Sequence, residues 1–141
     1  MKHVRITLLL LLTSLGTFAQ TEELSPEELV QQQLDGYNAR DIDLFLAPYS
    51  DSVEIYSFPN RLDAKGKENI RPGYTSMFEN SPQLHCELVN RIVNGNMVID
   101  RERVTGLLPK KKVLEAVAIY IIENGKIQKV YFPDSIITKE N

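Results

Sequence analysis

Residues 37–56 read YNARDIDLFLAPYSDSVEIY, and this stretch organises the rest of the chain. Its first residues continue a helix, and Asp41 is placed to cap a short second helix. Pro48 lacks a backbone donor, which is consistent with that helix ending there. Residues 53–58 then alternate between apolar and polar side chains, as a half-buried strand does. The stretch therefore predicts two helices followed by the first strand of a sheet.

The first helix has a strong start signal upstream of this stretch. Ser25 and Glu28 have the spacing of a capping box, and Pro26 suits the first helical position. The apolar side chains recur with helical spacing at Val30, Leu34 and Tyr37. Gln33 lies on the adjacent row, where a glutamine is expected at the water-exposed edge of the stripe.

Residues 1–19 have the composition of a secretory signal peptide. Lys2 and Arg5 precede an apolar run at residues 6–12, and Ala19 ends a small-residue cleavage signal. We therefore expect cleavage near Ala19 and export to the periplasm or the exterior, with no membrane attachment afterwards. Residues 20–24 form a short leader, residues 25–132 the folded domain, and residues 133–141 a flexible tail.

Charge and cysteine content exclude several classes of protein. Without Lys2 and Arg5, fourteen of the sixteen basic residues remain against nineteen acidic ones, which gives a net charge of −5. A nucleic-acid partner is not expected, because binding one requires a basic surface. Cys86 is the single cysteine, so no intrachain disulfide can form, and a buried hydrophobic role is expected for it.

The remainder of the chain predicts an α+β domain. Residues 65–80 keep helical spacing, although Pro72 within them predicts either a kink or a helix that starts near it. Four strands separated by hairpin signals follow, at residues 84–93, 97–107, 113–122 and 127–132. Helices followed by a strand meander imply helices packed on one face of an antiparallel sheet.

The strand at 97–107 places acids among apolar residues. Asp100 and Glu102 share a face with Val98 and Val104, but alternation alone does not show which face is inner. Inward-facing acids would be neutralised, paired, or exposed to a cavity, and a raised-pKa acid beside an ionised one serves proton transfer. The alternative is an ion-pair ladder with basic residues such as Arg91 or Lys112.

Other polar residues on the predicted strands extend the candidate site. His85 and Glu87 share a face, but one histidine is too few to predict a metal site. Glu115 interrupts an apolar strand, and Tyr120 lies on the opposite face of that strand. Neither a Ser–His–Asp elbow nor a glycine-rich phosphate loop occurs, and no cofactor is predicted.

Several strings resemble the nuclear transport factor 2-like superfamily, particularly its SnoaL-like and ketosteroid isomerase-like branch. They are YNARDIDLF, YSDSVEIY, GNMVIDRERVTG and IYIIENGKI, and the resemblance covers nearly all of residues 25–132. The resemblance implies a cone in which helices and a curved antiparallel sheet enclose a mostly apolar pocket. It also implies frequent homodimers formed through the outer sheet face, and it orients Asp100 and Glu102 toward the pocket.

The chain departs from ketosteroid isomerases at each of their catalytic positions. The resemblance implies a general-base Asp and an oxyanion hole made of a Tyr and a protonated Asp, the groups that ketosteroid isomerases use. The matching positions here are Ser57 for the base, Gln33 for the tyrosine and a residue near Ala118 for the second acid. Ketosteroid isomerisation by that mechanism is therefore not expected.

These observations predict an exported domain that binds a small, largely apolar molecule. The expected aromatic wall consists of Tyr37, Tyr56, Phe78 and Tyr120. The expected polar groups are Gln33, His85, Asp100, Glu102 and Glu115. One alternative is a cofactor-free isomerase, cyclase or dehydratase with Asp100 or Glu102 as the base. Another is a dimeric structural module whose acids pair with arginines.

Overall fold

The computed structural model describes residues 23–108 and 112–139. The predicted signal peptide and most of the predicted leader lie outside these residues. So do residues 109–111, which lie between the strands predicted at 97–107 and 113–122. No helix within the described residues is both long enough and apolar enough to cross a membrane.

Three helices precede or interrupt the sheet: α1 (Pro26–Ala39), α2 (Ile42–Leu46) and α3 (Lys67–Asn80). The predicted capping box is present, with the Ser25 hydroxyl accepting from the Glu28 N–H and the Glu28 carboxylate accepting from the Ser25 N–H. The α3 helix begins at Lys67, so a start near Pro72 is wrong, and Pro72 lies inside the helix.

The two N-terminal helices meet at a glycine. A Cβ on Gly36 would lie 2.3 Å from the backbone nitrogen of Phe45, which is closer than any side chain permits. This close approach of α1 to α2 buries Phe45 and Leu46 in the core. The turn between the helices passes through Arg40 in the left-handed region at φ 53°. Asp41 then caps α2 by accepting from the N–H groups of Asp43 and Leu44, as predicted.

Seven strands of the described residues form one curved, unclosed sheet, in which six follow the order β2-β1-β6-β5-β4-β3 and the seventh, β7, pairs with β5. Their bounds are β1 Tyr49–Ser57, β2 Arg61–Lys65, β3 His85–Asn94, β4 Met97–Thr105, β5 Lys112–Glu123, β6 Lys126–Phe132 and β7 Ile136–Lys139. The predicted meander from β3 to β6 is confirmed. The sheet is mixed rather than wholly antiparallel, because β1 pairs with β6 in parallel.

Two parts of the sheet differ from the sequence prediction. The edge strand β2 was not predicted, because four of its five residues are exposed and their sequence, RLDAK, lacks apolar alternation. Where the sequence predicts a flexible tail, Ile136–Lys139 form β7 and pair antiparallel with the start of β5. That pairing continues the edge of β5 beyond the part occupied by β6, so the tail prediction is wrong for these four residues.

The helices cover the concave face of the sheet, and the core lies between them. On β4 the side chains of Val98, Asp100, Glu102 and Val104 are all buried, with exposed fractions of 0–7%. Arg101 and Arg103, on the opposite face, are exposed. The structure therefore establishes that the acidic face of β4 is its inner face.

Candidate functional site

A cavity of about 540 Å³ lies between the helices and the concave face of the sheet. Most of its lining is apolar or aromatic, including Leu34, Tyr37, Phe45, Tyr49, Ile55, Ile70, Tyr74, Met77, Val104, Leu107, Leu114, Ala116, Tyr120 and Phe132. Its volume falls in the range of small-molecule sites, which combine an apolar wall with a few placed polar groups.

Four of the polar side chains that line the cavity form one connected chain of hydrogen bonds. The Tyr49 hydroxyl donates to Gln33 Oε1 at 3.3 Å, and Gln33 Nε2 donates to the Tyr120 hydroxyl at 3.1 Å. The Tyr120 hydroxyl in turn donates to Glu102 Oε1 at 3.3 Å. Every donor in this chain is directed toward Glu102, so the carboxylate is the terminal acceptor of the network.

Glu102 is the acid that the cavity perturbs. Burial, and after it the neighbouring Asp100 charge, raise its pKa from the ordinary 4.5 to about 7. Hydrogen bonds from Tyr120 and Cys86 and the Arg91 charge act in the opposite direction, because they favour the ionised form. Near neutral pH, Glu102 is therefore divided between its protonated and ionised forms and can accept or release a proton.

Asp100 has a structural partner and does not line the cavity. The Arg91 guanidinium donates two hydrogen bonds of 2.7 Å to its carboxylate, from Nε to Oδ1 and from Nη2 to Oδ2. Both side chains are buried, with exposed fractions of 8% for Arg91 and 0% for Asp100. Arg91 also donates to Gln31 Oε1 on α1. The ion pair predicted as an alternative is thus present for Asp100, and none forms at Glu102 among the described side chains.

Four of the nine predicted site residues line the cavity. They are Gln33, Tyr37, Glu102 and Tyr120. Gln33 is 4% exposed, so its expected place at a water-exposed helix edge is wrong. It is buried because both ends of its amide are satisfied, by Tyr49 and by Tyr120.

The other predicted site residues lie elsewhere. Tyr56 faces the outer side of the sheet, where it stacks on Tyr131 at 4.9 Å. Glu115 also faces outward and lies 3.4 Å from Arg103. His85 is exposed at the start of β3. Phe78 is buried among aromatic rings beside the cavity, and Asp100 is held by Arg91.

Two cavity residues absent from the predicted site are explained by local structure. Tyr49 follows Pro48 and precedes the strand predicted at residues 53–58, whereas in the structure it is the first residue of β1. Tyr74 lies one turn after Ile70 on α3, and the pKa of its hydroxyl is raised to about 12 by burial and by Glu102. The helical spacing of α3 indicated that Tyr74 faces inward but did not show that the inner surface encloses a cavity.

Cys86 brings β3 to the cavity. Its backbone N–H donates to Asn38 Oδ1 at 2.8 Å, and its carbonyl accepts from Asn38 Nδ2 at 2.9 Å, so α1 is tied to β3. The thiol hydrogen-bonds Glu102, and burial raises the pKa of the thiol. In residues 23–108 and 112–139, no group of three or more His, Cys, Asp or Glu side chains is arranged to hold a metal ion.

Comparison with known proteins identifies the domain. Residues 30–130 match the family described as the SnoaL-like domain. The chain belongs to the SnoaL-like family. Three hundred and forty-two solved chains resemble this SnoaL-like domain, whereas no curated protein matches it.

Three solved structures illustrate the likeness. An uncharacterized cystatin-fold protein of Novosphingobium aromaticivorans is 27% identical, with a TM-score of 0.69, and the match covers 77% of this chain and 97% of that one. A putative SnoaL-like polyketide cyclase of Jannaschia sp. CCS1 is 17% identical, with a TM-score of 0.65 and coverage of 85% and 91%. A putative ketosteroid isomerase of Kribbella flavida is 17% identical, with a TM-score of 0.62 and coverage of 82% and 81%. The last two show a shared fold.

Two positions that the ketosteroid isomerase resemblance matched do not reach the cavity of this SnoaL-like domain. The Ser57 hydroxyl donates to Asp63 on β2 and does not line the cavity. Ala118 is fully buried opposite Asp100 in the β4–β5 register. Gln33 does line the cavity and holds the hydroxyl of Tyr120. The acid that faces this cavity therefore comes from β4, at Glu102.

Proposed function

We propose that this SnoaL-like domain binds a small, mostly apolar organic molecule in its central cavity. The observation that supports this most directly is the cavity of about 540 Å³, whose wall is mostly apolar and aromatic and whose hydrogen-bonded side chains Tyr49, Gln33 and Tyr120 lead to Glu102. Such a distribution orients a ligand: its hydrocarbon part contacts the rings, and one polar group meets Glu102 or Tyr120.

A thermal-shift screen of hydrophobic metabolites, including sterols and polyketide-like acids, tests this proposal. A ligand at ten times its Kd is expected to stabilise the domain by about 1.4 kcal/mol, which raises Tm measurably. The cavity-filling substitution Ala116→Phe is expected to abolish the shift, because Ala116 lines the cavity. Val117→Phe, on the opposite face of β5, is the matched control and should keep it. Loss of the shift in both variants, or in neither, would argue against binding in this cavity.

A second candidate function is cofactor-free proton transfer of the isomerase, cyclase or dehydratase type. It is favoured by one observation: Glu102, with a pKa of about 7, faces the cavity beside the Tyr120 hydroxyl. An acid of that pKa suits a general acid or base at neutral pH, and the tyrosine can donate to a developing oxyanion. The structural-module alternative accounts for the arginine-paired Asp100 but leaves Glu102 unexplained.

Deuterium exchange provides the test of this second function. Ketones that bind the domain are expected to incorporate deuterium at the carbon beside the carbonyl in D₂O, as followed by NMR. Glu102→Gln should lower that rate by about a hundredfold, within the range for a lost general base. Asp100 is held by Arg91 away from the cavity and is not proposed as the base. Exchange unaffected by Glu102→Gln would exclude the mechanism.

Two further features stay predictions. Homodimerisation through the outer sheet face is supported by the exposed apolar side chain of Ile92 on β3, which lies opposite Ile99 of β4 on that face. Export rests on residues 1–19, which lie outside the described part of the chain.

A further inference from the structure

Within the described residues, Glu102 has no ion pair, unlike Asp100 on the same strand and Glu115 on β5. Asp100 has Arg91 at 2.7 Å, and Glu115 lies between Arg103 at 3.4 Å and Arg101 at 3.9 Å. None of the described residues that line the cavity is a lysine, arginine or histidine. When Glu102 is ionised, it therefore accepts hydrogen bonds from the neutral Tyr120 and Cys86 side chains, and no described cation forms an ion pair with it, although the charge of Arg91 also stabilises it.

The rings around the cavity add a second feature that favours positive charge. Tyr37, Phe45, Tyr49 and Tyr74 line the cavity wall on the helical side and the adjoining end of β1. Phe45 lies 5.3 Å from Tyr49 and 4.4 Å from Tyr74, between ring centroids. Aromatic faces attract organic cations through their quadrupole, and the attraction is strongest where water is excluded.

An anionic ligand fits this site poorly. A carboxylate or phosphate placed in the cavity would meet the Glu102 carboxyl and find no described cation to compensate it. Burying an unpaired charge is expensive, and a second negative charge beside the first adds repulsion. The site therefore discriminates by charge as well as by shape.

We propose that the preferred ligand is an organic cation, an apolar amine whose ammonium group pairs with Glu102 while its hydrocarbon part packs on the aromatic wall. This inference rests on the proposed ligand-binding function and names the chemical class of the ligand. The ammonium would supply the counter-charge that Arg91 supplies to Asp100. It would also donate to the carboxylate through charge-assisted hydrogen bonds.

The pairing makes amine binding depend on pH. Within the described part of the chain, seven titratable or charged groups act on Glu102. They are Asp100 on its own strand, Cys86 and Arg91 on β3, Tyr120 on β5, Tyr49 on β1, and Tyr37 and Tyr74 on the helices α1 and α3. The pKa values of the tyrosines and of Cys86 are raised, and Arg91 stays charged, so Glu102 is the group that changes charge near pH 7. Amine affinity should rise as Glu102 ionises between about pH 5 and pH 8 and then level off.

Calorimetry with three probes of one skeleton tests the inference: adamantylamine, adamantanol and adamantane carboxylate. At pH 8 the amine is expected to bind about tenfold more tightly than the alcohol, a difference of about 1.4 kcal/mol, since a charge-assisted hydrogen bond is stronger than a hydrogen bond from a neutral hydroxyl. The carboxylate should bind weakest. The amine should lose most of its advantage at pH 5, whereas the alcohol should not gain affinity as the pH rises.

Variants separate the sources of the preference. Glu102→Gln keeps the size of the side chain and should reduce the ratio of amine to alcohol affinity to about one, whereas Glu115→Gln on the outer face should leave it near tenfold. If Glu102→Gln fails to fold, the pH dependence of amine affinity in the unmodified domain, compared with that of alcohol affinity, tests the pairing instead. An alcohol that binds as tightly as the amine at pH 8 overturns the cation inference and leaves the proposed function standing. If none of the three probes binds and the hydrophobic-metabolite screen is also negative, both fail.

Discussion

Replacing Arg91 with methionine is expected to lower the free energy of unfolding by about 3–5 kcal/mol at pH 7, the range for removing one partner of a buried ion pair. Asp100 has no exposed surface, and Arg91 supplies both of its 2.7 Å hydrogen bonds. Methionine retains much of the apolar stem but leaves the carboxylate buried without a counter-charge. Urea unfolding of the two proteins under identical conditions measures the difference.

The outer face offers the matched control. Arg103 also pairs with a carboxylate, Glu115, but its side chain is 50% exposed. Arg103→Met should therefore cost less than about 1 kcal/mol, because exposed ion pairs contribute little. Adding Asp100→Leu to Arg91→Met should recover most of the lost stability, since the unpaired charge is then removed. Equal losses for Arg91→Met and Arg103→Met would show that the buried pair has no special role.

The sequence predicted the architecture because its local signals agreed with one another. The capping box at Ser25, the cap at Asp41 and the hairpin signals between the later strands each correspond to a real boundary. The signals failed where packing partners distant in sequence decide the structure. The β1–β6 pairing is parallel and joins residues more than seventy positions apart, which strand alternation does not report.

The site was only partly predictable for a related reason. Alternation placed Asp100 and Glu102 on one face but did not distinguish their partners. Arg91 reaches Asp100 because β3 and β4 pair in a register that sets the two residues opposite each other. Glu102 instead lies opposite Leu88 on β3 and Ala116 on β5, so its direct neighbours on the paired strands are uncharged.

Register and sheet face also explain the misplaced residues. Tyr56 and Glu115 were chosen because an aromatic ring and an acid on predicted strands are typical of pockets. Both point to the outer face, where Tyr131 and Arg103 occupy the neighbouring strands. Gln33 is the opposite case, because it was expected at an exposed helix edge and is buried. Its position depends on hydrogen bonds with Tyr49 and Tyr120, which lie 16 and 87 residues away.

Replacing Glu102 with glutamine is expected to give a domain whose stability, compared with that of the unmodified domain, increases as the pH rises. The pKa of Glu102 is about 7 in the folded state, against an ordinary value of 4.5, so folding favours its protonated form. Its contribution to stability is therefore fully present below pH 4.5 and is lost as pH rises through 7. Across this interval the unfolding free energy of Glu102→Gln minus that of the unmodified domain should increase by about 3 kcal/mol.

Urea unfolding at half-unit steps from pH 4.5 to pH 8 measures this difference directly. The amide oxygen of glutamine can accept the hydrogen bond that the Tyr120 hydroxyl donates to the Glu102 carboxylate. The substitution therefore removes the titrating group and keeps this hydrogen bond. Glu115→Gln, which alters an acid outside the cavity between two arginines, should show no comparable increase. A flat difference for Glu102→Gln would mean that the carboxylate is as well stabilised inside the cavity as in water. Glu102 would then be fully ionised near neutral pH, which would argue against both the ammonium pairing and the proton transfer proposed for it.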